Sequence, residues 1–210
     1  MRVLAFTPVH VDDAELARRQ ARYDALSPTG LVVDLHDLGP DAPRALDTEV
    51  DVRASEDAVA AAFAAADPTG YDGFLPDCVL DPCAEQAGDF ARPLYGLTRL
   101  TASFYASQGH RVGALARNDA IAAELDRRLA GYGITAEPTT VMNLSFDDIA
   151  DSHAWTAAVA RYAPSLTSSV AINACSAVDL AERRTDPVVV DPTATALRLL
   201  ALRADLEVAA

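Results

Sequence analysis

The sequence predicts an α/β protein made of two similar lobes, each containing a parallel sheet. Short apolar runs alternate with longer helical patterns along the 210 residues, which is typical of parallel strands joined by helices. The order of segments repeats weakly between the two halves. In each half one strand-like segment ends in a cysteine, Cys78 in YDGFLPDC and Cys175 in SVAINAC. Two such lobes facing each other would place one thiol on each side of a cleft.

Eight segments have the length and apolar content of buried strands. They are Arg2–Thr7, Leu31–His36, Gly73–Asp77, Pro93–Gly96, Val112–Ala116, a weaker one at Pro138–Met142, Ser169–Ala174 and Pro187–Asp191. In the repeat, the first of these segments corresponds to Val112–Ala116. The strand that ends in Cys78 corresponds to the strand that ends in Cys175.

The intervening segments predict eight helices. They are Asp13–Leu26, Glu56–Ala66, Ala84–Phe90, Thr98–Gln108, Asp119–Gly131, Asp147–Tyr162, Val178–Arg184 and Thr193–Leu206. Ser55 precedes one helix, and Ser145 stands three residues before Asp148, as is typical of helix N-termini. Gly109 and Gly131 fall where helices are expected to end.

The charge of the chain argues against several classes of partner. Seventeen basic and thirty-one acidic residues give a formal net charge of −14, which repels nucleic acid and anionic membrane surfaces. No segment approaches the roughly 20 apolar residues of a membrane span, and the apolar start is too short for a signal peptide. We therefore expect a cytoplasmic protein that acts on a small molecule, and a homo-oligomer is compatible with the sequence.

The composition also limits the cofactors. All seventeen basic residues are arginine, so chemistry that needs a lysine amine, such as a pyridoxal phosphate Schiff base, is excluded. No Gly-x-Gly-x-x-Gly motif follows the first strand, which continues as FTPVHVDD, so a dinucleotide is not expected. The four histidines are scattered and no CxxC pair exists. We expect neither a metal nor an organic cofactor.

The cysteines are the main candidates for chemistry. Three cysteines without a CxxC pair indicate reduced thiols. Ligands of open parallel sheets bind beyond the carboxyl ends of the strands, which is where Cys78 and Cys175 lie. Cysteine often merely fills a core, but a matched pair in a repeat favours a chemical role. His10, just beyond the first strand, is either a partner for a thiol or a solvated loop residue.

Four stretches carry a resemblance to a known family. They are Tyr71–Ala87 (YDGFLPDCVLDPCAEQA), Arg92–Ile134, Ser169–Ala181 (SVAINACSAVDLA) and Asp186–Leu202 (DPVVVDPTATALRLLAL). In this order they resemble the aspartate/glutamate racemase superfamily, nearest to its hydantoin racemase branch, over nearly the whole chain. The resemblance implies two pseudo-symmetric, Rossmann-like α/β lobes with the active site at their interface. Residues 1–96 plus 192–210 would form lobe 1, with Cys78, and residues 97–191 lobe 2, with Cys175.

The resemblance also implies roles for individual residues. Cys78 and Cys175 match the two catalytic cysteines of the family, whereas Cys83 matches a small residue of a loop and is expected to be structural. The expected substrate-binding residues are Thr7, Pro8, His10, Val79, Leu80, Arg117, Asn118, Ser176 and Ala177.

Several positions depart from the pattern of the hydantoin racemases. Their Asn-Pro-Asn-Thr strand end is Thr7-Pro8-Val9-His10 here, and the Phe-Gly after the first cysteine is Val79-Leu80. A Thr-Thr pair is replaced by Ala116-Arg117, and a Gly-Glu-Ala stretch by Thr98-Arg99-Leu100. These positions form the expected substrate wall, so the sequence is compatible with retained chemistry on a different substrate.

The reaction implied is inversion of a carbon next to a carbonyl without a cofactor. One thiolate takes the proton and the opposite thiol returns one to the other face, which requires one thiol pKa to be lowered towards neutrality. Backbone N–H groups after each cysteine would stabilise the thiolate or an enolate oxygen. The net charge favours a neutral hydantoin-like substrate or an amino-acid derivative, whereas Arg99 and Arg117 favour a carboxylate.

Three alternatives stay open at this point. The first is a decarboxylase of the same superfamily. The second is a cis-trans isomerase of a small carboxylic acid. The third is a relative that binds a small molecule without catalysis, because a shared fold does not guarantee a shared function.

Overall fold

The computed structural model describes residues 1–145, 147–149, 152–180 and 186–208. Within these ranges the strands are β1 (Arg2–Phe6), β2 (Val32–His36), β3 (Gly73–Pro76), β4 (Val112–Ala116), β5 (Thr140–Val141), β6 (Val170–Asn173) and β7 (Val188–Val190). The α-helices are α1 (Asp13–Leu26), α2 (Glu49–Ala65), α3 (Leu97–Ser107), α4 (Asp119–Gly131), α5 (Ser152–Tyr162) and α6 (Pro192–Val208).

The strands form two parallel sheets. The first has the order β2-β1-β3 and the second the order β5-β4-β6-β7. The predicted α/β class with parallel sheets is therefore confirmed. The first three strands of each half have the same order, because β1 and β4 lie at the centre and the third strand pairs on the other side. Cys78 and Cys175 occupy equivalent places in this repeat, each two residues after the third strand, β3 or β6.

The C-terminal helix packs back on the first sheet. Leu197 and Leu200 of α6 belong to the same buried cluster as Val3 of β1 and Leu75 of β3. Leu97, at the start of α3, lies in this cluster too. The division into two lobes, with the last helix in lobe 1, stays a prediction.

Helix α2 begins seven residues before its predicted start at Glu56. Thr48 is its N-cap, and the side chains of Thr48 and Asp51 form a reciprocal capping box. Ser55 is therefore not a cap but a buried residue inside the helix, where its hydroxyl donates to the carbonyl of Pro8. The missed signal is the threonine followed three residues later by an acid.

Three other predicted segments differ from the structure. Pro93–Gly96 makes only a single-residue bridge, Leu94 to Phe74, before α3 begins. The predicted helix Ala84–Phe90 is a 3-10 helix over Ala84–Asp89. The predicted helix Asp147–Tyr162 is described as a 3-10 turn, Asp147–Ile149, followed by α5.

The predicted helix Val178–Arg184 lies partly outside the described residues. Its described part, residues 178–180, is not helical. Across the described residues, no helix is long and apolar enough to cross a membrane.

Candidate active site

One cavity lies beyond the carboxyl ends of both sheets, where parallel α/β folds bind their ligands. It encloses about 480 Å³ including its opening to solvent. Both Cys78 and Cys175 line it, one reaching it from each sheet. Its wall consists of Pro8, Val9, Arg19, Leu46, Cys78, Val79, Leu80, Arg117, Ile121, Ile149, Ala174, Cys175, Ser176 and Ala177.

Most of the site residues predicted from the sequence meet in this cavity. Those that line it are Pro8, Cys78, Val79, Leu80, Arg117, Cys175, Ser176 and Ala177. The predicted residues Thr7, His10 and Asn118 are not among its lining residues. Ligand binding beyond the carboxyl ends of the strands therefore predicts the place of the cavity. It does not distinguish the residues that line the cavity from those behind them.

The residues behind the wall support those in it. The Thr7 hydroxyl donates to the carbonyl of Val9 at 2.8 Å. His10 Nδ1 lies 2.7 Å from a carboxylate oxygen of Asp37, which also accepts the backbone N–H groups of Val11 and Gly39. Asn118 caps α4, and its amide donates to the carbonyl of Leu46 at 2.8 Å. Thr7 and Asn118 thus each hold a lining residue, Val9 or Leu46, whereas His10 joins the loops that follow β1 and β2.

Cys78 is held in a tight loop with a buried thiol. Its side chain is almost fully buried, and the backbone N–H of Leu80 donates to its Sγ at 3.4 Å. Burial raises the pKa of the Cys78 thiol strongly, and the carboxylates of Asp77 and Asp81 raise it further. The Leu80 N–H lowers that pKa, but its effect is smaller than the effect of burial.

Asp81 fixes the loop that follows Cys78. Its carboxylate is fully buried and accepts the backbone N–H groups of Thr98 (3.0 Å) and Arg99 (2.7 Å), in the first turn of α3. The Tyr132 hydroxyl, just after α4, donates to the same carboxylate at 2.9 Å. Burial raises the pKa of Asp81 to about 6 despite these donors. The Cys78 loop is therefore anchored to both α3 and the end of α4.

Cys175 has a different electrostatic setting. It is only partly buried, and the N–H of Ala177 and the guanidinium groups of Arg19 and Arg22 lower its thiol pKa. Burial and the carboxylate of Asp77 raise it, and burial is the largest effect. The pKa of both thiols is therefore raised, whereas the reaction inferred from the sequence requires a lowered value on one side.

Helix α1 supplies arginines that sequence reasoning missed. Arg19 is almost fully buried and lines the cavity, and its Nη1 donates to Asp77 at 3.1 Å. Arg18 and Arg22 donate to the carbonyls of Ala177 and Val178, both at 3.0 Å. The available signal was the clustering of three arginines at positions 18, 19 and 22, on one side of the first helix after a strand end.

The two arginines of the cavity wall are already paired with carboxylates. Arg19 bonds Asp77 and Glu15. Arg117 pairs with Asp47 at 2.7 Å and donates to the carbonyl of Leu46. Their charges are thus compensated within the protein, and most of the remaining wall is apolar.

The other missed residues come from loops and from helix positions near strand ends. They are Leu46, Ile121, Ile149 and Ala174. Val9, which lies in the expected substrate wall, also lines the cavity, and Ala174 directly precedes the predicted residue Cys175. Leu46 lies in the loop between β2 and α2, and no pattern in the sequence indicates that this loop folds over the cavity.

Cys83 lies outside the cavity wall. It is fully buried with a left-handed backbone (φ 66°), and its N–H donates to Glu56 at 2.8 Å. Burial raises the pKa of its thiol to about 12. Among the described residues, no cluster of three or more histidine, cysteine or acidic side chains is arranged to hold a metal ion.

Comparison with solved structures shows which proteins share this fold. Allantoin racemase from Pseudomonas fluorescens has a TM-score of 0.81 at 18% identity, over 99% of this chain and 92% of that one. Allantoin racemase from Klebsiella pneumoniae scores 0.76 at 15% identity, over 99% and 89%. An aspartate racemase from Picrophilus torridus scores 0.57 at 15% identity, over 95% and 94%.

Arylmalonate decarboxylase is also among the similar structures, with a TM-score of 0.57 and 13% identity, over 96% of this chain and 91% of that one. Comparison with protein-family models and with curated protein sequences found no match. At these identities the likeness establishes the fold: this chain folds like the racemases of the aspartate/glutamate type and their structural relatives.

Proposed function

We propose that the protein is a cofactor-independent racemase or epimerase in which Cys78 and Cys175 are the two acid–base groups. The observation that carries the proposal is the placement of both thiols in one cavity, at equivalent positions after β3 and β6. Two proton-transfer groups supplied by opposite halves of a repeat suit inversion, because a planar intermediate must lose its proton on one face and gain one on the other. The likeness to racemases supports the same reaction class.

The chemical steps follow from the two thiols. A thiolate on one side takes the proton of a carbon next to a carbonyl, and the electron pair of the C–H bond moves into an enolate. The opposite thiol then gives its proton to the other face of that carbon and becomes the thiolate. The N–H of Leu80 on Cys78 and that of Ala177 on Cys175 stabilise the respective thiolate forms.

The cavity wall favours a neutral substrate with an apolar substituent. A carboxylate placed beside Arg117 or Arg19 would compete with Asp47 in the first case, and with Asp77 and Glu15 in the second. The side chains of Val79, Leu80 and their apolar neighbours offer burial for carbon atoms instead. We therefore propose a hydantoin-like ring or an N-acylated amide or ester of an amino acid, rather than a free dicarboxylic amino acid.

Solvent exchange tests the proposal directly. Single enantiomers of 5-isobutylhydantoin, N-acetylleucinamide and aspartate are incubated in D2O and followed by proton NMR and chiral chromatography. We expect deuterium at the α-carbon together with inversion for a neutral probe, and none for aspartate. The Cys78→Ser/Cys175→Ser double variant is the matched control for spontaneous exchange. Folded protein that exchanges none of the probes above this control would contradict the racemase proposal.

A decarboxylase is the second candidate, because the apolar wall would bury the aryl group of an arylmalonate and an arylmalonate decarboxylase shares the fold. The two carboxylates of that substrate would have to compete with the carboxylates already paired with Arg19 and Arg117. Such an enzyme would release CO2 from the prochiral diacid and protonate a single face. Incubation with phenylmalonate and detection of CO2 separates the two functions. The two-cysteine cavity favours inversion over this reaction.

The state of the cysteines bears on the cellular setting. All three are free thiols, and two of them must stay reduced for the proposed chemistry. We propose that the protein works in a reducing compartment such as the cytoplasm, without a metal or organic cofactor.

A further inference from the structure

Arg19 connects the two sides of the cavity. It comes from α1, beside the first sheet, and lines the cavity together with Cys175, which follows β6 of the second sheet. Its guanidinium is held by Asp77 at 3.1 Å and by Glu15 at 2.7 Å. A side chain that is 5% exposed and tied at two points has little freedom to move away.

Different charged groups act on the two thiols. Arg19 and Arg22 of α1 favour a negative charge on Cys175, and Asp77 after β3 opposes it. Arg18 and Arg22 donate to the carbonyls of Ala177 and Val178, so the arginine-bearing side of α1 lies against the loop that follows Cys175. Both Arg19 and Arg22 are also paired with carboxylates, but they are cations that favour the thiolate of Cys175.

Cys78 has the opposite surroundings. The charged or titratable groups around it are Asp77, Asp81 and the thiol of Cys175, and each of them opposes a negative charge on its sulfur. The N–H of Leu80 favours a negative charge on this sulfur. Asp77 acts on both thiols, so the difference between them comes from Asp81 beside Cys78 and from the arginines beside Cys175.

We infer that Arg19 makes Cys175, and not Cys78, the thiol that ionises first in the free protein. Arg19 is a positioning residue in this assignment, since it acts on the substrate only through the sulfur of Cys175. If the proposed function is correct, Cys175 is the base and Cys78 the acid at the start of a turnover. This catalytic consequence rests on the proposed function. The ionisation itself requires no substrate and is measured independently of any activity.

Alkylation by iodoacetamide at a series of pH values measures this ionisation, because the thiolate is the reacting form. In a Cys83→Ser background, tryptic cleavage after arginine leaves Cys78 in the peptide 54–99, because the Arg92–Pro93 bond resists cleavage, and Cys175 in the peptide 162–183. Mass spectrometry of the two peptides gives a separate pH midpoint for each thiol. The midpoint, unlike the absolute rate, is independent of how accessible each sulfur is.

We expect the midpoint of Cys175 to lie at least one pH unit below that of Cys78. Arg19→Met should raise the Cys175 midpoint and slow its alkylation at pH 7.5 about tenfold, since one unit changes the thiolate fraction tenfold. Arg19→Lys, which keeps the charge, should restore most of the difference. Arg2→Met, which removes an exposed cation paired with Asp34, is the matched control and should leave both midpoints unchanged.

A second variant covers the case in which Arg19→Met does not fold, because removing the arginine leaves Asp77 buried with one partner fewer. Arg19→Met/Asp77→Asn removes both charges and keeps the Tyr23 contact to residue 77. We expect the gap between the two midpoints to narrow in this double variant, while Asp81 still acts on Cys78. A lower midpoint for Cys78 in the parent protein, or an unchanged gap in Arg19→Met or in the double variant, would overturn the inference. If the gap narrows in these variants but the parent protein racemises none of the probes, only the proposed function is refuted.

Discussion

At the scale of single residues, the two cavity cysteines differ from the third in what surrounds them. Cys78 and Cys175 line an open cavity, whereas Cys83 is enclosed by α2 and the loop and faces Glu56. All three thiols have raised pKa values because they are withdrawn from water. Access to the cavity, rather than acidity, is therefore what separates the candidate catalytic thiols from the structural one.

Serine substitutions test this separation. Cys78→Ser and Cys175→Ser should each lower the rate of inversion by several powers of ten, because a serine hydroxyl is too weak an acid to replace a thiol. Each variant is expected to retain some α-proton exchange with one enantiomer, opposite for the two variants. Cys83→Ser should stay within a few-fold of the parent protein. Chiral chromatography measures inversion, and NMR measures proton exchange. An inactive Cys83→Ser variant together with a fully active Cys78→Ser variant would mean that Cys83 and Cys175 are the catalytic pair.

The raised thiol pKa values predict the pH profile of the reaction. A thiolate is required, and both thiol pKa values lie above the ordinary 9.0. Below that value the thiolate fraction rises tenfold per pH unit, so the rate should climb about tenfold per unit from pH 6 to 8, without a plateau below about 9. Initial rates in buffers of constant ionic strength check the slope. A plateau near pH 7 would show that the thiol pKa of the substrate-free protein does not control the rate of the reaction.

At the scale of elements, the Cys78 loop depends on a contact with the start of α3. Gly96, the N-cap of α3, lies so close that a Cβ there would be 2.5 Å from the carboxyl group of Asp81. The N–H groups at the N-terminus of the helix bind the carboxylate of Asp81 as they would bind a free anion. A glycine is required here for close approach rather than for an unusual backbone angle, since its φ is −86°.

Gly96→Ala should therefore destabilise the protein by about 1–3 kcal/mol, the usual cost of overpacking, and lower activity by displacing the Cys78 loop. Gly88→Ala is the matched control, because a Cβ there meets no atom within 4 Å and its backbone angle is ordinary. Urea unfolding of the two variants gives the difference in free energy. Equal stabilities would mean that the loop absorbs the extra methyl group without strain.

The raised pKa of Asp81 has a consequence for stability. The folded value of about 6 exceeds the ordinary 3.8, so the folded state binds more protons between these values. Stability due to this group is therefore lost as pH rises from about 4 to 6, by about 3 kcal/mol in all. Asp81→Asn cannot ionise, so the difference in unfolding free energy between the parent and this variant should shift by that amount over this range. A difference independent of pH would contradict a raised pKa.

At the scale of the whole molecule, the sequence predicts the sheets better than it predicts what joins them. The strands and the two cysteine positions follow from local apolar runs and from the repeat. The place of Arg19 does not, because it depends on how α1 packs against a loop that is more than 150 residues away along the chain. The early start of α2 was missed for a local reason, the capping box at Thr48.

Arg18 and Arg22 of α1 join the two halves through the loop after Cys175. They donate to the carbonyls of Ala177 and Val178, at equal distances of 3.0 Å. They differ in burial, since the side chain of Arg22 is 5% exposed and that of Arg18 44%. Arg22 also pairs with Asp191, which accepts backbone N–H groups at the start of α6 as well.

This matched pair predicts unequal effects of the same substitution. Arg22→Met should cost about 3–5 kcal/mol of unfolding free energy, because it removes a buried cation that is paired with the largely buried Asp191. Arg18→Met should cost less than about 1 kcal/mol, as expected for a solvent-screened pair. Urea unfolding measures both, and proton exchange at the Cys175 site should fall further in Arg22→Met. Equal losses in the two variants would mean that the shared carbonyl contacts, and not the buried ion pair, hold the Cys175 loop against α1.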